Sequence, residues 1–225
     1  MTDLNFTGYI ISLLFLLAMY FIFGTFALKK YLIQKKEKGS AEEFNLFYAF
    51  SFYFLGSGRF ILAIFDVITD FNANNYNPSN IWIWKIGSGL QFIGVGAYFY
   101  LMEKRVMKGR DKYLLLILFF ALPAFGLIFM QEVETATIFI ALGMIVAIYV
   151  PLAYLYIAKI SDGEVRKRAL LIFFGFIIMV IGSSLPAEQV ISVLTQITPL
   201  VRIQLHIIAF WTIICGGVFL FLGVK

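Results

Sequence analysis

The sequence predicts an all-α protein, a seven-transmembrane helix bundle with its N-terminus outside and its C-terminus in the cytoplasm. Three observations carry that expectation. The 225 residues are 61% apolar and only 14% charged, with a mean hydropathy of +0.90, whereas a soluble domain is about half apolar and a quarter charged. The apolar residues gather into seven runs, each near the roughly 20 residues that a helix needs to cross a hydrocarbon core. The loops between those runs alternate in charge, and that alternation orients them.

The runs cover residues 6–28, 44–68, 81–102, 113–131, 135–158, 169–187 and 201–224, and together they form one membrane domain over 1–225. They are apolar on all faces, which excludes the alternating ten-residue strands of a membrane barrel. The first run follows "MTDLNF", which has no Lys or Arg, and is itself followed by Lys29 and Lys30. It therefore reads as a first span and not as a secretory signal, whose basic residues precede a shorter core. The second run is rich in Phe and contains Arg59. An Asn-rich turn, "DFNANNYNPSN" (70–80), follows it; Pro78 in "NPS" bars glycosylation there. The third run opens on Trp82 and Trp84 near Tyr76, while Tyr31, Tyr100 and Tyr113 mark the opposite boundary, as amphipathic rings at head-group level do. Pro123, Pro151 and Pro186 are expected to kink their helices, which membrane proteins tolerate. The segment "EQVISVLTQITP" (188–199) alternates polar and apolar residues at helical spacing, so it either lies flat on the outer surface or extends the sixth span.

The net charge of +5 is a consequence of topology. Lys29, Lys30, Lys35, Lys36 and Lys38 lie in the first loop, and Lys104, Arg105, Lys108, Arg110 and Lys112 in the third. Lys159, Arg166, Lys167 and Arg168 lie in the fifth, and Lys225 ends the chain. Most of the 18 basic residues thus fall on one side, which the positive-inside rule makes cytoplasmic. The other side carries Asp3, Asp66, Asp70, Glu132, Glu134 and Glu188, with Lys85 and Arg202 at its border. Partners follow from this: the lipid bilayer of the plasma membrane, with anionic lipid head groups at the cytoplasmic face, and no nucleic acid. One cysteine and one histidine exclude a disulfide within the chain and the usual multi-residue metal centres. Cys215 is read as buried packing, and no cofactor is expected.

Arg59 is the residue that does not fit its surroundings. A guanidinium in mid-membrane costs about 2.5–3.5 kcal/mol on insertion scales, and such residues by default face a bundle interior. Its helical neighbours Leu55, Gly56, Leu62 and Ala63 offer no partner, and Asp66 lies about 10 Å further along the same face. Reading every run for depth collects Arg59, Asp66, Ser88, Gln91, Glu188 and His206 into a polar layer in the outer half of the bundle, a candidate ligand-binding site. Small residues in "GSG" (56–58), "GSG" (87–89), "GVGA" (94–97) and "GSS" (182–184) flank it, and small residues let helices approach closely. No catalytic motif accompanies these residues: a G-x-S-x-G elbow, H-E-x-x-H and paired membrane aspartates are all missing.

The pattern G-x-x-R followed seven residues later by Asp, in a Phe-rich second span, resembles seven-helix integral membrane proteins of prokaryotes. The resemblance covers one helix and implies a membrane bundle without an activity. The overall plan resembles seven-helix receptors and microbial rhodopsins as well, which implies a receptor or sensor with a small-molecule ligand entering from outside. Span seven, "RIQLHIIAFWTIICGGVFLFLGVK", has no internal lysine for a retinal Schiff base, so a light-driven pump is not expected. Two alternatives stand beside the receptor-like reading. One is a transporter of three plus one plus three helices, hinted at by "IGVGAYFYL" (93–101) and "ICGGVFLFL" (214–222). The other is a structural subunit that assembles with its own copies as an oligomer, or with other chains.

Overall fold

A computed structural model describes residues 3–39, 43–72, 75–105, 113–198 and 200–224, and these are mostly helical, with no strand among them. The elements are α1 (Asp3–Lys38), α2 (Glu43–Ile68), α3 (Ile81–Arg105), α4 (Leu114–Phe129), α5 (Val133–Ala147), α6 (Tyr149–Ile160), α7 (Gly163–Ser184), α8 (Glu188–Ile197) and α9 (Arg202–Val224). Lys108, Arg110, Lys112 and Lys225 lie outside the described residues.

Helix ends follow local chemistry. α1 runs ten residues beyond its apolar run because "KKYLIQKKEK" contains good helix formers and no breaker. It stops at Gly39, whose φ of +67° only glycine adopts without strain. α3 starts from a short 3-10 turn, Pro78–Asn80, where Asn77 Oδ1 accepts the Ser79 N–H at 3.0 Å. Pro151 divides the fifth run into α5 and α6. It has no N–H for the Ala147 carbonyl, and Ile148 bonds instead to the Ile145 carbonyl at 3.2 Å, a tighter 3-10 step. Pro151→Ala restores the missing donor. We expect it to raise the melting temperature, by less than the ~3 kcal/mol proline costs inside an ideal helix, with new amide-exchange protection at residue 151. An unchanged or lower melting temperature would show that the break is held by packing. Pro186 separates α7 from α8, and the two helices bend by 79°. α8 is thus a separate helix, set at an angle to α7.

By length and composition, four helical stretches can cross a membrane: Leu4–Glu37, Glu43–Ile68, Val133–Ile160 and Arg202–Val224. Five can if α7 with α8 counts as one. α3 is diluted by Lys85, Ser88, Gln91 and its glycines, and α4 has 16 residues. These stretches, with large apolar side chains such as Leu14, Ile22, Ile128, Ile145 and Ile181 exposed, are consistent with a multi-pass membrane protein.

The chain divides into two compact units. Unit one is Met1–Met19, Asp66–Tyr76 and Pro151–Lys225; unit two is Tyr20–Phe65 and Asn77–Val150. Both are built from antiparallel helix pairs that meet backbone to backbone, with small residues recurring every seven positions. In unit two, α2 and α3 cross where a Cβ on Gly58 would stand 2.6 Å from the Gly87 carbonyl oxygen. One heptad away, Gly94 faces the Ser51 carbonyl and the Ser51 hydroxyl donates to the Gly94 carbonyl. α4 and α5 repeat the device, Gly126 against the Ala136 carbonyl and Gly143 against the Pro123 ring and the Phe119 carbonyl. In unit one, α7 and α9 pair Gly182 with Ala209, Gly175 with Gly216, and Arg168 with Gly223. In lipid no hydrophobic force drives helices together, and close packing along such seams takes its place.

At the ends of α2 and α3 in unit two, Glu43 and Lys104 form an exposed ion pair, and the hydrogen bond to Glu43 pushes the Lys104 ammonium above its ordinary pKa. Both side chains are solvated, so the pair aligns the helix ends more than it stabilises them.

Cys215 is exposed, contrary to the packing role read from the sequence. The seam of α9 with α7 uses Ala209, Ile213, Gly216, Leu220 and Gly223, all buried, whereas Cys215 is not among them.

Candidate functional site

The polar side chains sit where helices end. α2 closes with two interlocking bonds: Phe71 N–H to the Asp66 carbonyl at 2.7 Å, and Asp70 N–H to the Val67 carbonyl at 3.3 Å. This is a Schellman closure, which requires a left-handed residue after the helix. Asp70 takes that place at φ +52°, where aspartate is tolerated, and Phe71 follows at +59°, where a bulky residue is rare. Phe71 is nonetheless 5% exposed. Packing holds it: its ring meets Tyr9 edge-on at 4.8 Å and His206 at 5.3 Å between centroids. Backbone strain of order 1–3 kcal/mol persists only when the surroundings over-determine the conformation, and here aromatic contacts do so.

Around that turn unit one assembles a buried polar group from three elements. Tyr9 of α1, fully buried, donates its hydroxyl to Asp66 Oδ2 at 3.2 Å. His206 of α9 brings Nε2 to 3.7 Å from Asp66 Oδ1, with side-chain exposures of 3% and 15%. The other imidazole nitrogen, Nδ1, lies 3.0 Å from the Arg202 carbonyl oxygen one turn back. Phe210 closes the floor, 5.2 Å from the Tyr9 ring. A histidine, a carboxylate and a phenol thus share one apolar enclosure, where low dielectric strengthens every polar contact.

The other expected site residues divide between the units. Arg59, 6% exposed, belongs to unit two, as do the buried Ser88 and the half-buried Gln91. Arg59 and Ser88 each follow a glycine of the α2–α3 crossing, and a Cβ on Gly58 would meet the Gln91 backbone and Cγ. These three are therefore at one level of unit two. Arg59 also acts electrostatically on the buried Tyr20 hydroxyl of the same unit. Glu188 is the first residue of α8; its side chain lies outside the described residues. In unit one Asp66 and His206 are thus brought together, and in unit two Arg59, Ser88 and Gln91 share a level.

Two polar residues were missed from sequence. Tyr9 looked like one more aromatic of the first run; its signal was a position near the N-terminal end of that run, at the level of Asp66. Glu103 is fully buried in unit two, and its Oε1 accepts the Leu116 N–H at 2.9 Å. Leu116 is in the first turn of α4, whose N-cap position is held by a left-handed Tyr113 that supplies no side-chain cap. A carboxylate suits that positive helix end. An acid inside a strongly basic connection was the available signal. Among the described residues no three His, Cys, Asp or Glu side chains gather as a metal site.

Compared with known proteins, the chain matches no protein-family model, no curated protein and no solved structure.

Proposed function

We propose that the chain is a seven-span receptor- or sensor-like protein of the plasma membrane, with its N-terminus outside and a ligand site in the outer half of the helices. α3 and α4 then count as spans. The support is pairing: each runs antiparallel to a partner along heptad seams, Gly58 with Gly87 and Ser51 with Gly94, Gly126 with Ala136 and Phe119 with Gly143, so each shares its partner's depth. The alternating loop charges support the orientation, and the basic connections would face anionic lipid.

One observation carries the ligand site. Ionisable side chains lie within apolar helices, Arg59 buried in one unit and, in the other, the buried His206 beside a part-buried Asp66. Intramembrane ionisable residues face protein and mark functional sites by default. The test is a thermal-shift screen of the purified protein against a panel of small molecules, repeated with Arg59→Leu. We expect the variant to insert and fold, with a melting temperature within a few degrees of the original, and to lose the ligand-induced rise. An unfolded variant would make Arg59 structural, and a variant that still binds would remove it from the site. Passage of a labelled ligand across liposomes would favour the transporter reading, and co-purification with another chain in fixed stoichiometry the structural one.

A further inference from the structure

The helix α8 sorts its residues into two faces. At about 100° per residue, Val190, Ile191, Val193, Leu194 and Ile197 fall on one arc of about 160°, and Gln189, Ser192, Thr195 and Gln196 fall opposite. Unit one uses only one edge of the apolar arc. Ile191 is buried, 1% exposed, whereas Val193 and Ile197 towards the other edge are 56% and 72% exposed. On the polar arc Gln189 and Gln196 are exposed. The hydroxyls of Ser192 and Thr195 donate back to carbonyls of their own helix, Gln189 at 3.0 Å and Ile191 at 2.9 Å.

The position of α8 names what covers the open half of that apolar face. The helix leaves α7 at a bend of 79°, so it lies nearly in the membrane plane when α7 crosses along the normal. Exposed apolar side chains continue along the chain from Ile181 of α7 through Val193 and Ile197 to Val201 ahead of α9. No Lys or Arg occurs between Arg168 and Arg202, and Glu188 is the only ionisable residue of α8. We propose that α8 is an interfacial helix seated in the bilayer surface. Val193 and Ile197 insert among acyl chains just beneath the head groups, and Gln189 and Gln196 face water. Surface helices bind through buried apolar area and through attraction to anionic lipid; α8 has no base for the second, so uncharged head groups suffice. A free helix of this length is marginal in water, but α8 is tethered by α7 and α9 and packed through Ile191. This placement rests on α7 being a span and is independent of the ligand site. Which leaflet holds the helix follows from the orientation proposed above.

The test is the depth of single nitroxide labels on the full chain in neutral phosphatidylcholine bilayers. With Cys215→Ser as background, the labels are carried in turn by Val193→Cys, Ile197→Cys, Gln189→Cys, Gln196→Cys and Ile181→Cys. Molecular oxygen concentrates in hydrocarbon and a nickel chelate stays in water. We expect the ratio of oxygen to nickel collisions to be about fivefold higher at 193 and 197 than at 189 and 196, and to favour oxygen at 181 as well. The profile should hold within about twofold when anionic phosphatidylglycerol forms about a third of the lipid, or when salt is raised to about 1 M to screen charge. Nickel reaching all four α8 positions would overturn the lipid contact. Oxygen alone at all four would make α8 a re-entrant segment, and neither reagent at 193 and 197 would mean that protein covers the face; both overturn the placement. A profile that forms only with anionic lipid would overturn the uncharged contact. Nickel access at 181 would remove α7 from the bilayer and the seat of α8 with it. Where Val193→Cys does not fold, the adjacent pair Gln196→Cys and Ile197→Cys gives the same comparison.

Discussion

Gly216→Ala lowers the melting temperature of the protein, against the usual sign of that substitution. In an open helix, alanine replaces glycine with a gain of about 1 kcal/mol. At Gly216 the new Cβ would stand 2.8 Å from the Gly175 carbonyl oxygen, 2.8 Å from the Met179 nitrogen and 2.7 Å from Met179 Cγ. Two of those atoms are backbone and cannot turn aside. α7 and α9 must separate, and overpacking of this kind costs about 1–3 kcal/mol. Gly216→Leu should leave little folded protein in detergent. Gly89→Ala is the contrast: its nearest neighbour, Leu127 Cδ1, is 3.7 Å away, so the ordinary gain should appear. The double variant Gly175→Ala with Gly216→Ala should cost less than the sum of the singles, since both part the same crossing. Thermal unfolding of these variants decides the matter; a rise in melting temperature for Gly216→Ala equal to that for Gly89→Ala would mean that the seam is not in backbone contact.

Glu103→Ala destabilises the protein by about 1–3 kcal/mol, the cost of leaving a buried N–H without its acceptor. The carboxylate caps the first turn of α4 through Leu116, and α4 brings no other side-chain cap. Glu103→Gln keeps an oxygen in place and should lose less, with the difference reporting how much the negative charge adds at the helix N-terminus. Hydrogen exchange at the Leu116 amide is the direct readout, with strong acceleration expected in Glu103→Ala and little in Glu103→Gln. Equal protection in all three proteins would assign the burial of Glu103 to packing alone.

The polar site was legible to different degrees for a physical reason. Asp66 and His206 were readable because charge and polarity are scarce in apolar runs, and scarcity marks depth. That Arg59 belongs to a different compact unit was not readable. Depth along a helix follows from counting residues, but the direction in which a side chain points depends on which neighbour its helix chooses. Tyr9 was hidden among 12 tyrosines and 26 phenylalanines, where only its burial against Phe71, His206 and Phe210 sets it apart.

The sequence by itself determined the helices and most of their ends. Long apolar runs must satisfy every backbone group internally, which in lipid leaves the helix; Gly39, Pro151 and Pro186 then interrupt it through backbone geometry that needs no partner. Only the tertiary structure decided which glycine meets which carbonyl, that Phe71 is held left-handed beneath His206, that Glu103 caps a helix from another element, and that Cys215 faces outward. Those outcomes depend on contacts between residues far apart in the chain, and apolar periodicity is the same whichever partner is chosen.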